Sequence, residues 1–381
     1  MIVAGVMSGT SLDGIDVAIV DIRRERSRLR IQPLAFHSTA YPKNVRESIL
    51  AVSNTMTHTA AVSRLNFLLG ELYADAIQKA SRKHKLALIG LHGQTIFHEG
   101  APIEYLGRRI ASTMQIGEAA VVAERTGIRV VSNFRERDIA AGGQGAPLVP
   151  YVDYLLFRDR SQSRVALNIG GIANITLIPA GASPEDVVAF DTGPGNMVID
   201  ALVRHKTAGK QTCDRNGAIA KRSNVHAKLL GSMMADPFLK QQPPKSTGRE
   251  RFGQPFVTGL LATGIAIDDL IATATEFTAQ SIAYGIAQHN QSYGHVIAAG
   301  GGVHNRWLMQ RIAHHTAPLT LTTSAEFGID PDAKEAIAFA VLAFESAAGQ
   351  PANLPSATGA RRTVILGKSS AGLAGETRNR A

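Results

Sequence analysis

With 381 residues, the chain is too long for one ordinary core and suits two domains of about 150–200 residues each. Hydrophobic residues at 45% and charged residues at 19% read as a soluble globular protein, and the single cysteine, Cys213, excludes an internal disulfide framework or a cysteine-built metal cluster. The net charge of +9 would suit an acidic partner, but the basic residues are scattered rather than grouped with aromatics, so no nucleic-acid partner is expected. A mildly positive site for an anionic nucleotide or a carboxylated substrate would use the same charge.

The first apolar run is broken by Gly5, Ser8 and Gly9 and has no basic leader, so neither a signal peptide nor a membrane span is expected. One cysteine and no export signal predict a reducing, cytoplasmic setting. Residues 2–6 and 16–22 read as strands, joined by a turn-rich stretch over 7–14. From Val62, the apolar residues Leu65, Leu69, Leu72 and Ala76 recur at helical spacing. Short apolar strands at 87–91 and 128–131 each end in polar residues, His92-Gly93-Gln94 after one and residues 133–138 after the other.

Beyond a glycine-rich corner at 141–147, the pattern of strand, glycine turn, strand restarts at 165–169 and 173–178, followed by a strand at 187–190. A weak internal duplication is therefore expected. Helices are predicted at 274–289 and 332–348, with a strand at 295–299 and a helix at 306–314 between them. Alternation of this kind argues for α/β layers. The tail from Lys368 is small, polar and charged, and reads as disordered.

Three glycine loops bear on phosphate binding. Gly9-Thr10-Ser11-Leu12-Asp13-Gly14-Ile15-Asp16 joins two strands and offers backbone N–H groups, two hydroxyls and two carboxylates, one of which, Asp13, suits Mg²⁺ directly or through water. It lacks the lysine and following helix of a Walker loop. Judged alone, such a loop is more often an ordinary hairpin turn. Asn168-Ile169-Gly170-Gly171-Ile172-Ala173-Asn174 repeats the arrangement, and Ala299-Gly300-Gly301-Gly302-Val303-His304-Asn305 follows a strand and opens a helix. Two hairpin loops followed by a loop at a helix start match, in order, the phosphate-1, phosphate-2 and adenosine segments of the actin/hexokinase/Hsp70 class.

Asp191 ends an apolar strand and opens Thr192-Gly193-Pro194-Gly195, which suits a carboxylate base held at a strand edge; an Asx-turn residue is the alternative. Asp330 as N-cap and Pro331 at the first helical position announce the helix that carries Glu335. Glu335 either holds polar groups of a ligand or favours the helix dipole. His92 and Gln94 read either as ligand groups or as satisfied loop residues. Arg137 suits bidentate recognition of a carboxylate, with a salt bridge to Asp138 or Glu136 as the alternative. The Lys245 to Arg249 loop is left without a role, and the histidines are too dispersed for zinc.

Seven ordered segments carry a closer resemblance. They are Gly5 to Asp16; Leu91-His92-Gly93-Gln94-Thr95; Gly142-Gly143-Gln144-Gly145-Ala146-Pro147-Leu148-Val149-Pro150; Asn168 to Asn174; Phe190-Asp191-Thr192-Gly193-Pro194-Gly195-Asn196; Pro244-Lys245-Ser246-Thr247-Gly248-Arg249-Glu250; and Asn353 to Ala360. Together they resemble the anhydro-N-acetylmuramic acid kinase family. Gly107-Arg108-Arg109 and the basic tail depart from its pattern.

The resemblance implies a two-domain actin-like ATPase (ribonuclease H-like) architecture with a central cleft. The expected domains are residues 1–138 with 350–367 packing back, then residues 139–349, with a disordered tail at 368–381. It implies ATP and Mg²⁺ as cofactors, and binding of them by Gly9 to Asp16, Gly170, Gly171, Asn174, Gly300, Gly301, Gly302 and Asn305. It further implies Asp191 as the catalytic base, and His92, Gln94, Thr95, Arg137, Gln144 and Glu335 as substrate-binding groups. The implied reaction phosphorylates O6 of 1,6-anhydro-N-acetylmuramic acid while water opens the anhydro ring, within peptidoglycan recycling. A homodimer is compatible with the sequence. Another small-molecule kinase, a sugar-sensing regulator and a chaperone-like ATPase are the competing readings; the last two need further domains for which few residues remain.

Overall fold

The computed structural model describes residues 1–9, 12–26, 28–289 and 293–372. It is α/β, with one mixed sheet in each of two units: Met1–Leu156 together with the described residues from Ala333, and Phe157–Asp332. Thr10, Ser11 and the tail from residue 373 lie outside the described residues.

In the first unit β1 (Ile2–Ser8), β2 (Gly14–Glu25) and β3 (Arg28–Ala40) form an antiparallel meander. Strand β4 (Leu88–Tyr105) runs parallel to β1, its outer half pairs with β5 (Arg108–Ile116), and β6 (Val130–Ser132) lies parallel to β4. The resulting order is β3-β2-β1-β4-β6. In the second unit β7 (Arg164–Ile169), β8 (Ile172–Ile178) and β9 (Val188–Pro194) form another antiparallel meander. Strand β10 (His295–Ala299) is parallel to β7 and β11 (Thr320–Thr323) is parallel to β10, giving β9-β8-β7-β10-β11. The same plan is thus built twice, and the duplication expected from two glycine hairpins is present in the topology. It is the arrangement that the actin-like ATPase expectation requires.

The tail reading is corrected at its start. Lys368–Ser370 forms β12, antiparallel to β6, and Ser369 accepts a hydrogen bond at Oγ from Arg129 Nε at 2.7 Å. Backbone pairing to an edge strand orders a segment whose side chains bury little.

The central strands β1 and β4 are buried where they pair, which explains their nearly continuous apolar runs. Against them lies the helix Thr59–Ala80, which buries Leu65, Leu69, Tyr73 and Ile77, a stripe at spacings of three and four. The helix Lys334–Ala347 packs on β1, β2 and β4 and is buried from Ala336 to Ala343. Its approach depends on two glycines. A Cβ at Gly5 would stand 1.9 Å from the carbonyl oxygen of Ala336, and one at Gly90 would stand 2.1 Å from that of Phe339.

This packing moves the unit boundaries. They fall after Leu156 and after Asp332, rather than after residues 138 and 349, because this helix and Pro150–Phe157 belong to the first unit. The helix start is corrected too: Lys334 is its first residue, and Asp330 is not its N-cap. The Asp330 side chain instead accepts from the Asp332 amide at 2.9 Å, and the Pro331 carbonyl accepts from the Gly300 amide at 3.0 Å, so residues 330–332 form a turn. Gly5→Ala should force the helix off the sheet and lower stability by roughly 1–3 kcal/mol. A urea midpoint equal to that of the wild type would show that the close approach is unimportant.

Candidate active site

In the second unit, strand register sets out a row of polar positions. Ala299 of β10 lies opposite Asn168 of β7, Asn168 opposite Asn174 of β8, and Asn174 opposite Asp191 of β9. The hairpin at Gly170-Gly171 and the triple glycine that follows β10 begin at this same sheet end. Three features predicted separately from sequence therefore meet within one unit. This is also the C-terminal end of the parallel pair β7 and β10, where open α/β sheets place ligands.

The backbone there is tightly interlocked. Gly195 and Asn196 donate their amides to the carbonyls of Gly171 and Gly170 at 2.9 and 2.8 Å, and a Cβ on Gly302 would lie 2.2 Å from Cγ2 of Ile169. Gly300 is equally confined, since a Cβ there would stand 2.8 Å from the Ile169 carbonyl oxygen, whereas Gly170, Gly171 and Gly301 are open. A Cβ at Gly301 would meet nothing within 4 Å, and at Gly170 or Gly171 nothing nearer than 3.4 Å. Asn168 Oδ1 is buried without a hydrogen-bond partner beside Gly300. Asn305 caps the helix Arg306–Thr316, accepting from the Leu308 amide at 3.0 Å, so its side-chain oxygen is already engaged.

Asp191 is half-buried on β9. Its amide donates to the Lys245 carbonyl at 3.1 Å, and its Oδ2 accepts from the Thr247 amide at 2.8 Å. Burial pushes its carboxyl up to about 7; the Thr247 amide and the Lys245 ammonium oppose that rise, and the Glu250 carboxylate adds to it. Such a group is ionised and still basic near neutral pH, which suits proton abstraction. Beside it, Phe238, Gln241, Ser246, Thr247, Glu250 and Arg251 line an open pocket of about 560 Å³.

The first unit gathers a second set. Ser8 of β1 lies opposite Gln94 of β4, and Gln94 Nε2 donates to the Gly9 carbonyl at 3.2 Å, while its Oε1 is buried without a partner. Thr95 accepts at Oγ1 from Gln115 Nε2 at 3.2 Å. His92 is buried against the Phe339 ring, and its Nε2 accepts from the Arg135 guanidinium at 2.9 Å. Burial, helped by the Arg135 charge, pushes the imidazole well below its usual range and keeps it neutral. Glu335 is half-buried, and burial raises its carboxyl against the pull of Lys334 and Arg135; Asp16 adds to the rise. Beneath it Lys334 pairs with Asp153 at 2.6 Å, both buried.

Arg135, two residues before Arg137, was passed over in its favour on sequence grounds. It ties His92 to the glycine corner by donating to the Gly145 carbonyl at 2.8 Å. Arg137, the residue chosen from sequence, is exposed and makes no ion pair among the described residues. The salt bridge weighed against its binding role is not formed: Asp138 accepts from the Gly145 amide, Asn353 Nδ2 and Thr358 Oγ1, and Glu136 accepts from Asn133. Gln144 sits in the same corner, its amide bonded to the Thr358 carbonyl at 2.8 Å. Leu12 and Ile15 are buried and so shape their loop through backbone, with Leu12 at φ 62°. Gly14 packs under a Cβ-free contact to Thr39, whose carbonyl oxygen would be 2.2 Å from a Cβ.

The model of the anhydro-N-acetylmuramic acid kinase family matches residues 1–371. The chain belongs to this family. The anhydro-N-acetylmuramic acid kinase of Caldanaerobacter subterraneus subsp. tengcongensis is 45% identical over 96% of both chains. That of Bacillus cereus strain AH187 is 43% identical over 96% of this chain and 98% of its own. Membership makes the chain a sugar kinase. Among solved structures, a ROK family glucokinase from Streptomyces griseus in complex with glucose and AMPPNP aligns over 91% of this chain and 100% of its own, with a TM-score of 0.42 at 12% identity.

The residues present fit a bound nucleotide. Open glycines beside an orphaned buried amide oxygen suit the close approach of a nucleotide. Asp13 is exposed on its loop, and no group of three or more His, Cys, Asp or Glu side chains gathers among the described residues. One carboxylate suits Mg²⁺, which keeps waters and phosphate oxygens as its other ligands. No helix of the described residues is long and apolar enough to cross a membrane.

Proposed function

We propose that this chain phosphorylates O6 of 1,6-anhydro-N-acetylmuramic acid with hydrolytic opening of the anhydro ring, giving N-acetylmuramic acid 6-phosphate and ADP, in cytoplasmic recycling of peptidoglycan. Membership in the family supports the substrate, and the environment of Asp191 supports the chemistry. ATP supplies the phosphoryl group, and Mg²⁺ held by Asp13 would neutralise its charge. Gly9 to Asp16, Gly170, Gly171, Asn174 and Gly300 to Asn305 bind the nucleotide, Thr10 and Ser11 among them on sequence grounds alone. His92, Gln94, Thr95, Gln144 and Glu335 hold the sugar, and exposed Arg137 takes the lactyl carboxylate as a bidentate partner.

Asp191 is the base. It takes a proton from water as that water attacks the anomeric carbon, in the manner of the base in an inverting glycosidase. The bond from the anomeric carbon to O6 breaks, and O6 leaves toward the phosphoryl group, so no separate general acid is needed. The observation that carries this reading is a half-buried carboxylate with one oxygen held by an amide and an affinity for protons near neutrality.

The pH dependence follows with a definite sign. Asp191 works only when ionised, so kcat/KM for the anhydro sugar should rise about tenfold per pH unit up to about 7 and then level. A flat profile between pH 5 and 8 would contradict a base of this kind. Measured ADP release with the anhydro sugar and with N-acetylmuramic acid tests the substrate: the anhydro sugar should turn over and the open sugar should be poor.

A further inference from the structure

The segment Pro244 to Arg249 has no role in the reading above, yet it is fastened to the one group that does chemistry. Lys245 is buried, and its Nζ donates to the carbonyls of Leu239 at 2.9 Å and Phe238 at 3.2 Å. The same ammonium stands 5.0 Å from the Phe238 ring centroid and 5.3 Å from that of Phe190, the residue before Asp191. From this anchor the chain reaches Asp191 twice. The Lys245 carbonyl accepts the Asp191 amide, and two residues on the Thr247 amide donates to Asp191 Oδ2.

A buried lysine is costly unless its charge is met. Two carbonyls and two ring faces meet part of it, and Lys245 and Asp191 also act on each other: burial pulls the ammonium down and the Asp191 carboxylate holds it up. Around this pair, Glu250 opposes ionisation of Asp191, the Arg251 guanidinium stands 5.6 Å from the Phe238 ring and pairs with Asp236 at 2.7 Å, and the His289 ring lies 5.3 Å from Phe190. Burial, with the Lys245 charge, holds His289 below its usual range. Lys245 is the cation acting directly on the base.

We propose that Lys245 is the positioning residue of the reaction: buried under β9, it fixes the 244–249 loop so that the Thr247 amide occupies Asp191 Oδ2 and leaves Oδ1 as the oxygen that takes the proton from water. The proposal rests on Asp191 being the base. A loop held only by its exposed residues would leave both carboxylate oxygens free to rotate, and the orientation needed at the attacking water would be lost.

The test uses Lys245→Met and Lys245→Gln in the full chain, with steady-state kinetics on the anhydro sugar from pH 5 to 9 and thermal unfolding as a check on folding. Methionine keeps an unbranched apolar stem but removes the ammonium with its charge and donors; glutamine keeps two N–H donors on a side chain one atom shorter and removes the charge. Lys245→Met should lower kcat at neutral pH by about tenfold or more with little change in KM, as expected for lost orientation of a base. In both variants the acid-side midpoint should move upward, because the cation favouring ionised Asp191 is gone. If Lys245→Met does not fold, Lys245→Gln alone carries the test.

An unmoved midpoint with kcat within about twofold of wild type overturns the proposal. So does a rise in KM at unchanged kcat, which would make the loop a grip on the sugar. Asp191→Asn separates the two ideas. If it is inactive while the lysine variants behave as wild type, only the positioning role falls; if it is active, the assignment of the base falls with it.

Discussion

Asp191→Asn is expected to keep the fold and ATP binding while slowing turnover of the anhydro sugar by at least ~10²-fold, the low end for a lost general base. The amide keeps the size of the carboxylate and an oxygen for the Thr247 amide, which donates at 2.8 Å. It cannot accept a proton from water. Ring opening then stalls, and O6 is never released as a nucleophile. A sugar already open at the anomeric carbon should gain nothing from Asp191 in this way, so N-acetylmuramic acid should be a poor acceptor for wild type and variant alike. Kinetics of both proteins on both sugars decide the matter. Comparable wild-type turnover of the open sugar, or near-normal activity of the variant on the anhydro sugar, removes Asp191 from this role.

The second large effect concerns stability. Asp138 is fully buried and serves three donors, the Gly145 amide at 2.8 Å, Asn353 Nδ2 at 2.7 Å and Thr358 Oγ1 at 2.8 Å. It joins the glycine corner to the segment at 353–358, two stretches that are far apart in sequence. Gly143 is needed for the same contact, since a Cβ there would stand 2.2 Å from Asp138 Oδ2. Asp138→Ala strands the Gly145 amide in the interior and takes the nearer acceptor from Asn353 Nδ2 and Thr358 Oγ1, which keep only the Arg362 and Leu354 carbonyls at 3.3 Å, and should cost about 3–5 kcal/mol. In the unit concerned that corresponds to a fall in Tm of roughly 6–20 °C. Asp138→Asn, which keeps one oxygen, should lose less. A Tm for Asp138→Ala within about 2 °C of wild type would mean that the corner is held by other contacts.

Much of this was legible in the chain because local chemistry and global topology agree there. The strand, glycine turn, strand signature marked β1–β2 and β7–β8, since buried central strands are apolar throughout and their tight turns need glycine. Strand β3 was missed. Its burial alternates with charged and polar residues, Pro33 interrupts it, and it is a sheet edge, so it carries neither a continuous apolar run nor a turn signal of its own. Helix Pro150–Phe157 was missed for the opposite reason: it is short and apolar nearly all round, so it has no clear period.

The site divides the same way. Asp191, Asn168, Asn174 and the glycines declare themselves because each lies within three residues of a turn former, although β9 runs on through Asp191 to Pro194 rather than ending before it. Arg135 and Lys245 do not, because what matters in them is a tertiary partner: the His92 ring for one, and the Phe238 and Leu239 carbonyls for the other. No local pattern encodes which distant backbone oxygen a lysine will reach. Asp330 misled for a related reason. Its spacing before Pro331 imitates a helix cap, while the Pro331 carbonyl is drawn to Gly300 instead.

The central claim is that water opens the ring as O6 is phosphorylated. The most direct test is mass spectrometry of the product formed from ATP and 1,6-anhydro-N-acetylmuramic acid in ¹⁸O-labelled water, quenched before the anomeric hydroxyl exchanges with solvent. The account predicts N-acetylmuramic acid 6-phosphate carrying one label at the anomeric hydroxyl and none in the phosphate. A phosphorylated sugar without label, or a product that keeps the anhydro ring, would contradict it.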